Sequence, residues 1–145
     1  MAVQGFRGAV QDEVDAKAAH SDSLLVAIIE DELDVRAMSR LLLQHWGNET
    51  IEASNGQRGI ELVRERADAI DIVLVDIGLP DMAGYDVARV LQEILGDRCP
   101  PLVAVTGWGQ DRDRELAMAA GFDAHLGKPV SPKALVETIA RLARG

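Results

Sequence analysis

From residue 24 onward, short β-rich apolar runs alternate with longer stretches of helical period. The runs cover residues 24–29 (LLVAII), 50–53 (TIEA), 72–75 (IVLV), 102–106 (LVAVT) and 125–127 (HLG) with the residues just before it, each bounded by acids, Gly or Pro. Continuous runs of this length suit strands buried on both faces. Five helices are expected in between. Residues 34–46 carry Val35, Met38, Leu41, Leu42 and His45 on one side, and His45 with Trp46 should finish that core face. Residues 57–66 carry Ile60, Leu62 and Val63; 85–95 carry Val87, Val90, Leu91 and Ile94; 132–143 carry Leu135, Val136, Ile139 and Leu142; and 111–120 fill the remaining interval.

Local punctuation agrees with this division. Gly47 and Gly121 stand where left-handed C-terminal caps belong, and Ser131-Pro132 supplies an N-cap followed by proline at the first helical position. The pattern is α/β, a (βα)5 doubly wound sheet. Strict β-α alternation with right-handed crossovers predicts five parallel strands with helices on both faces, and ligands bind beyond the carboxyl ends of such strands.

Residues far apart in sequence therefore meet at that edge. The first strand ends in Glu30-Asp31-Glu32, the third in Asp76, the fourth in Thr106-Gly107 and the fifth in Gly127-Lys128-Pro129. Clustered carboxylates repel unless a cation offsets them, and oxygen donors favour a hard ion such as magnesium, with Asp31 and Asp76 its natural ligands. Glu32 is expected to stay in solvent. A lysine and a hydroxyl aimed at the same place suit phosphoryl oxygens.

Composition narrows the reading. A chain of 145 residues and 15.6 kDa makes one domain, residues 24–145, preceded by a tail or linker at 1–23 without sustained period. Lys plus Arg number 15 and Asp plus Glu 24, a net charge of −9 that repels a phosphate backbone, so no direct nucleic-acid partner is expected. Cys99 is the single cysteine, which excludes an internal disulfide and fits a reducing cytoplasm as an inert loop thiol. No apolar run is long enough for a membrane span or a secretion signal. There is no G-x-x-x-x-G-K-[ST] loop, Gly107-Trp108-Gly109 lacks the third glycine of a dinucleotide fingerprint, and His20, His45 and His125 fall in a tail, a helix and a strand without a G-x-S-x-G elbow. Asp76 is the nucleophile candidate that survives.

These residues resemble the receiver domain of two-component response regulators. The resemblance covers about residues 24 to 144 and rests on four ordered motifs: VAIIEDELDVR, IDIVLVDIGLPDMAGYDVARVL, PLVAVTGWG and GFDAHLGKPV. It implies a flavodoxin-like strand order 2-1-3-4-5. It also implies that Asp76 accepts a phosphoryl group from a histidine kinase or histidine phosphotransfer protein. By the same resemblance Asp31, Asp76 and the Gly78 carbonyl bind Mg2+, with Glu30 helping through water. Lys128 pairs with Asp76 and the phosphoryl group, Thr106 swings to bond it, and Pro129 follows a cis peptide bond. The domain would be a cytoplasmic switch that changes its binding of a downstream protein partner. It would be no enzyme beyond its own phosphorylation and dephosphorylation.

Departures from the family pattern accompany the match. Glu30 stands where Asp is frequent, and His125 holds a switch position that is usually aromatic, where a titrating imidazole would make the signal depend on pH. Gly78 offers no side chain above the acyl phosphate, while Trp108 is bulky, and both bear on its lifetime. An alternative is a receiver-shaped interaction module that works without phosphorylation. A phosphatase acting through an aspartyl phosphate is a weaker reading, because Gly78 replaces the second acid of a D-x-D pattern. The chain stops one helix past the fifth strand, so a stand-alone receiver or a segment of a hybrid kinase is expected, and GFDAHLGKPV is similar to receivers of the latter kind.

Overall fold

The computed structural model describes residues 23–107 and 111–144. Five strands form one parallel sheet in the order β2-β1-β3-β4-β5: β1 (Leu25–Ile29), β2 (Glu49–Ala53), β3 (Ile72–Asp76), β4 (Leu102–Thr106) and β5 (Ala124–Gly127). Five helices connect or follow them: α1 (Leu33–His45), α2 (Gly56–Arg66), α3 (Gly84–Leu95), α4 (Asp111–Ala119) and α5 (Pro132–Leu142). The expected (βα)5 architecture and strand order are what the chain adopts. The tail expected at 1–23 lies outside the described residues apart from Ser23, as does Trp108.

Alternation along each strand divides the core in two. Ala27 and Ile29 of β1, with Val73 and Val75 of β3, pack beneath α2, α3 and α4 through Val63, Val87, Leu91 and Ala117. Val26, Ile28, Ile72 and Leu74 face the other way, against Leu43 of α1, Trp46 just after it, and Leu135 and Ile139 of α5. Each β3 residue is buried, which explains a strand sequence apolar at every position until Asp76.

Three acids or amides secure the opposite, amino-terminal edge. Asp71, Asp123 and Asn48 accept hydrogen bonds from the N–H groups of Leu25, Leu102 and Leu24, so the strands begin with their donors satisfied. Ser131 caps α5 by accepting from Ala134 N, and Gly47 and Gly121 take φ of 85° and 100° as expected. Lys128–Pro129 is cis.

The buried face of α1 differs from expectation. Leu43 and Trp46 are buried and Val35, Ser39 and Leu42 half-buried, whereas Met38, Leu41 and His45 are exposed. Residues 35, 39, 42, 43 and 46 form one stripe of period 3.6, shifted from the stripe read out of the sequence. Three consecutive leucines, 41–43, fit either stripe, and the contact with α5 and β1 selects Leu43. Trp46 ends that face, its Nε1–H without a partner among the described residues.

Candidate functional site

At the carboxyl edge of β1 and β3 the acids come together. Carboxylate oxygens of Glu30, Asp31 and Asp76 lie within 4.8 Å of one another. Asp76 ends the buried β3 and Glu30 follows β1, so both are almost fully enclosed, 5% and 3% exposed, while Asp31 is open to solvent. Enclosure at the end of β1 is why ionisation of Glu30 is costly.

Lys128, held behind β5 by its N–H bond to the carbonyl of Thr106, extends its Nζ to this cluster. It lies 2.9 Å from Glu30 Oε1, 3.4 Å from Asp76 Oδ1 and 3.8 Å from Glu32 Oε1. Burial alone would lower its pKa, but Glu30 and Asp76 together outweigh burial and raise it, so the ammonium stays charged. For Glu30 the balance goes the other way. Burial pushes its pKa up to about 7, and neighbouring Asp76 adds to the rise, against the lowering by Lys128 and by the N–H of Glu32. One ammonium does not neutralise three acids. An oxygen-rich pocket with surplus negative charge fits a hard divalent cation, and the three carboxylates could hold one.

The loop after β3 is fixed from both ends. Gly78 N–H donates to Asp76 Oδ1 at 3.0 Å, which turns the loop back over the carboxylate and leaves Gly78 exposed beside it. Farther on, Asp81 accepts from Gly56 N and Gln57 N at 2.8 and 2.9 Å, capping α2 from a distant part of the chain. These two N–H bonds hold the Asp81 carboxyl below its ordinary pKa. At the start of α3, Gly84 packs so closely that a Cβ there would stand 2.6 Å from the Asp76 carbonyl oxygen and 2.7 Å from Ile77 Cα. Neither Asp81 nor Gly84 was legible in the sequence as a site-building residue. Acidic and glycine positions in a turn carry a local signal only, and their partners lie elsewhere in the fold.

Thr106 closes the site from β4. It is buried, its register partner on β5 is Gly127, and its Oγ1 shares a 2.9 Å hydrogen bond with His125 Nε2. The two residues anticipated as a moving pair thus touch directly. Pro129 is exposed, following the cis bond that turns the chain after Lys128. Glu32 is exposed and bonds Glu30 Oε2 only through its backbone N–H. Cys99 is half-buried in its loop and burial pushes its thiol pKa up, as expected for an inert thiol.

Comparison with known proteins adds to this geometry. The family model described as "Response regulator receiver domain" matches residues 26–140. The polar-differentiation response regulator DivK of Brucella anthropi is 36% identical over 115 residues, covering 79% of this chain and 91% of DivK. A response regulator receiver domain protein from Clostridium thermocellum aligns with TM-score 0.75 and 29% identity, over 81% of this chain and 92% of that one. The fold is also that of a Saccharomyces cerevisiae receiver domain co-crystallised with a histidine phosphotransfer protein, at TM-score 0.77 and 23% identity, covering 83% of this chain and 89% of the other.

Proposed function

The chain belongs to the response regulator receiver family, and from that premise we propose that Asp76 is its phosphoacceptor, taking a phosphoryl group from a phosphohistidine on a kinase or phosphotransfer protein. The observation that carries this reading is the meeting of Glu30, Asp31 and Asp76 within 4.8 Å with Lys128 Nζ 3.4 Å from Asp76. In the transfer, an Asp76 carboxylate oxygen forms a bond to phosphorus as the phosphorus–nitrogen bond of the donor breaks, and the departing imidazole nitrogen takes up a proton. The product is an aspartyl phosphate.

Asp31, Asp76 and the Gly78 carbonyl are the proposed Mg2+ ligands, with Glu30 acting through water. Bound there, the ion supplies positive charge opposite the transferring oxygens. Lys128 rests on Glu30 before transfer and would follow the phosphoryl oxygen as it arrives, since it already lies within reach of Asp76. Thr106 would exchange its bond with His125 for one to the phosphoryl group. That exchange frees the imidazole and alters the end of β5, through which a downstream protein partner senses the change. The reading makes the domain a cytoplasmic signalling switch rather than an enzyme acting on other substrates.

Borohydride reduction converts an aspartyl phosphate to homoserine, so peptide mass mapping after phosphorylation tests the residue assignment. Homoserine at position 76 is expected. Reduction at Asp31 or at another acid would overturn it.

A further inference from the structure

Behind the metal-facing loop, residues 30–32, stands a cation that the transfer chemistry does not use. Arg36, in the first turns of α1, donates from Nη1 to the carbonyl of Glu30 at 2.8 Å and lies 3.5 Å from that of Asp31. Its Nε donates to Glu52 Oε1 at 3.1 Å, on edge strand β2. Glu52 is held in turn by Arg40, whose Nη1 reaches both of its carboxylate oxygens at 3.2 and 3.1 Å. The Arg36 and Glu52 side chains are 17% and 23% exposed, so solvent screens this pair less than one on the open surface.

The two carbonyls belong to the peptide planes on either side of the Asp31 Cα. Asp31 itself has no hydrogen bond to its carboxylate among the described residues, so those planes, which set the direction of its Cα–Cβ bond, are what the surrounding structure holds. We propose that Arg36 is a positioning residue for the cation site: its guanidinium fixes the backbone around Asp31, and Glu52 keeps it from turning onto the Asp31 carboxylate and occupying the cation's place. The inference rests on the cation-binding reading above. The planar fork sets two separate nitrogens, Nη1 and Nε, on the carbonyl and the carboxylate, a reach that the single nitrogen of an ammonium does not reproduce.

Direct titration with Mn2+, read as the free-ion electron paramagnetic resonance signal and competed with Mg2+, measures the site without any phosphorylation. Arg36→Ala is expected to weaken Mn2+ binding by about tenfold, the scale for groups that orient metal ligands. Arg36→Lys, with charge retained, and Glu52→Gln should weaken it in the same direction. Arg40→Ala removes an ion pair to Glu52 but not the carbonyl contact, and should bind as the wild type does. Where Arg36→Ala fails to fold, Arg36→Lys and Glu52→Gln carry the test. Wild-type affinity in the Arg36 variants would overturn the inference and leave the cation site intact, as would an equal loss in Arg40→Ala. Absence of Mn2+ binding by the wild type would overturn the cation site and this inference with it.

Discussion

At the scale of the residue, Glu30 shows most directly how burial and charge compete. Its folded pKa, about 7, lies above its ordinary value of 4.5, with burial as the main cause. The folded state therefore holds a proton that the unfolded chain releases first, so this group's contribution to stability is fullest below pH 4.5 and is lost as pH rises through 7. In metal-free buffer, chemical denaturation should find stability falling between about pH 4.5 and 7, and Glu30→Gln should flatten that fall. A wild-type curve rising across the same window would contradict the assignment. Glu30, Asp31, Asp76, Thr106 and Lys128 were all legible in the sequence because each ends a strand or follows one, and strand ends in a parallel sheet meet. Arg36 and Asp81 were not, since their partners are backbone groups, of the loop after β1 and of the first turn of α2, that only the folded chain brings near.

At the scale of the element, the strands were easier to read than the helices. β3 is buried on both faces, so its apolar run has one interpretation, whereas α1 offers two stripes that share the leucines 41–43. Choosing between them needs the angle at which α1 leaves the acidic loop, and no local pattern holds that information. The start of α3 is a second case. Gly84 N–H donates to the Ile77 carbonyl at 2.9 Å, and a Cβ at this position would push into the backbone of Asp76 and Ile77. Gly84→Ala should destabilise the fold by about 1–3 kcal/mol, the range for overpacking, and slow phosphorylation by displacing the Asp76 loop. Thermal unfolding beside a phosphorylation time course checks this. An alanine variant with wild-type stability and rate would show that the loop yields without cost.

In the molecule as a whole, two helical layers cover a sheet whose last strands are proposed to carry the signal. The Thr106–His125 hydrogen bond joins the site to β5, and β5 packs against α4 and α5. Phosphorylation should shift backbone amide signals of β4, β5, α4 and α5 in NMR spectra. Thr106→Ala should still take up the phosphoryl group yet lose most of those shifts. Equal shifts in the variant would place the switch elsewhere. The layer order and the edge where ligands gather followed from β-α alternation alone, while the direct contact of Thr106 with His125 depends on a strand register that the sequence pattern does not specify.

Phosphorylation at Asp76 in a cation-dependent reaction is open to direct measurement by intact mass after incubation with Mg2+ and a small-molecule phosphodonor. One phosphoryl adduct is expected in the wild type, and none in Asp76→Ala or in the metal-free sample. A folded, cation-bound wild type that gains no adduct, or an adduct that persists in Asp76→Ala, would contradict it and point to a receiver-shaped module that binds its partner without phosphorylation.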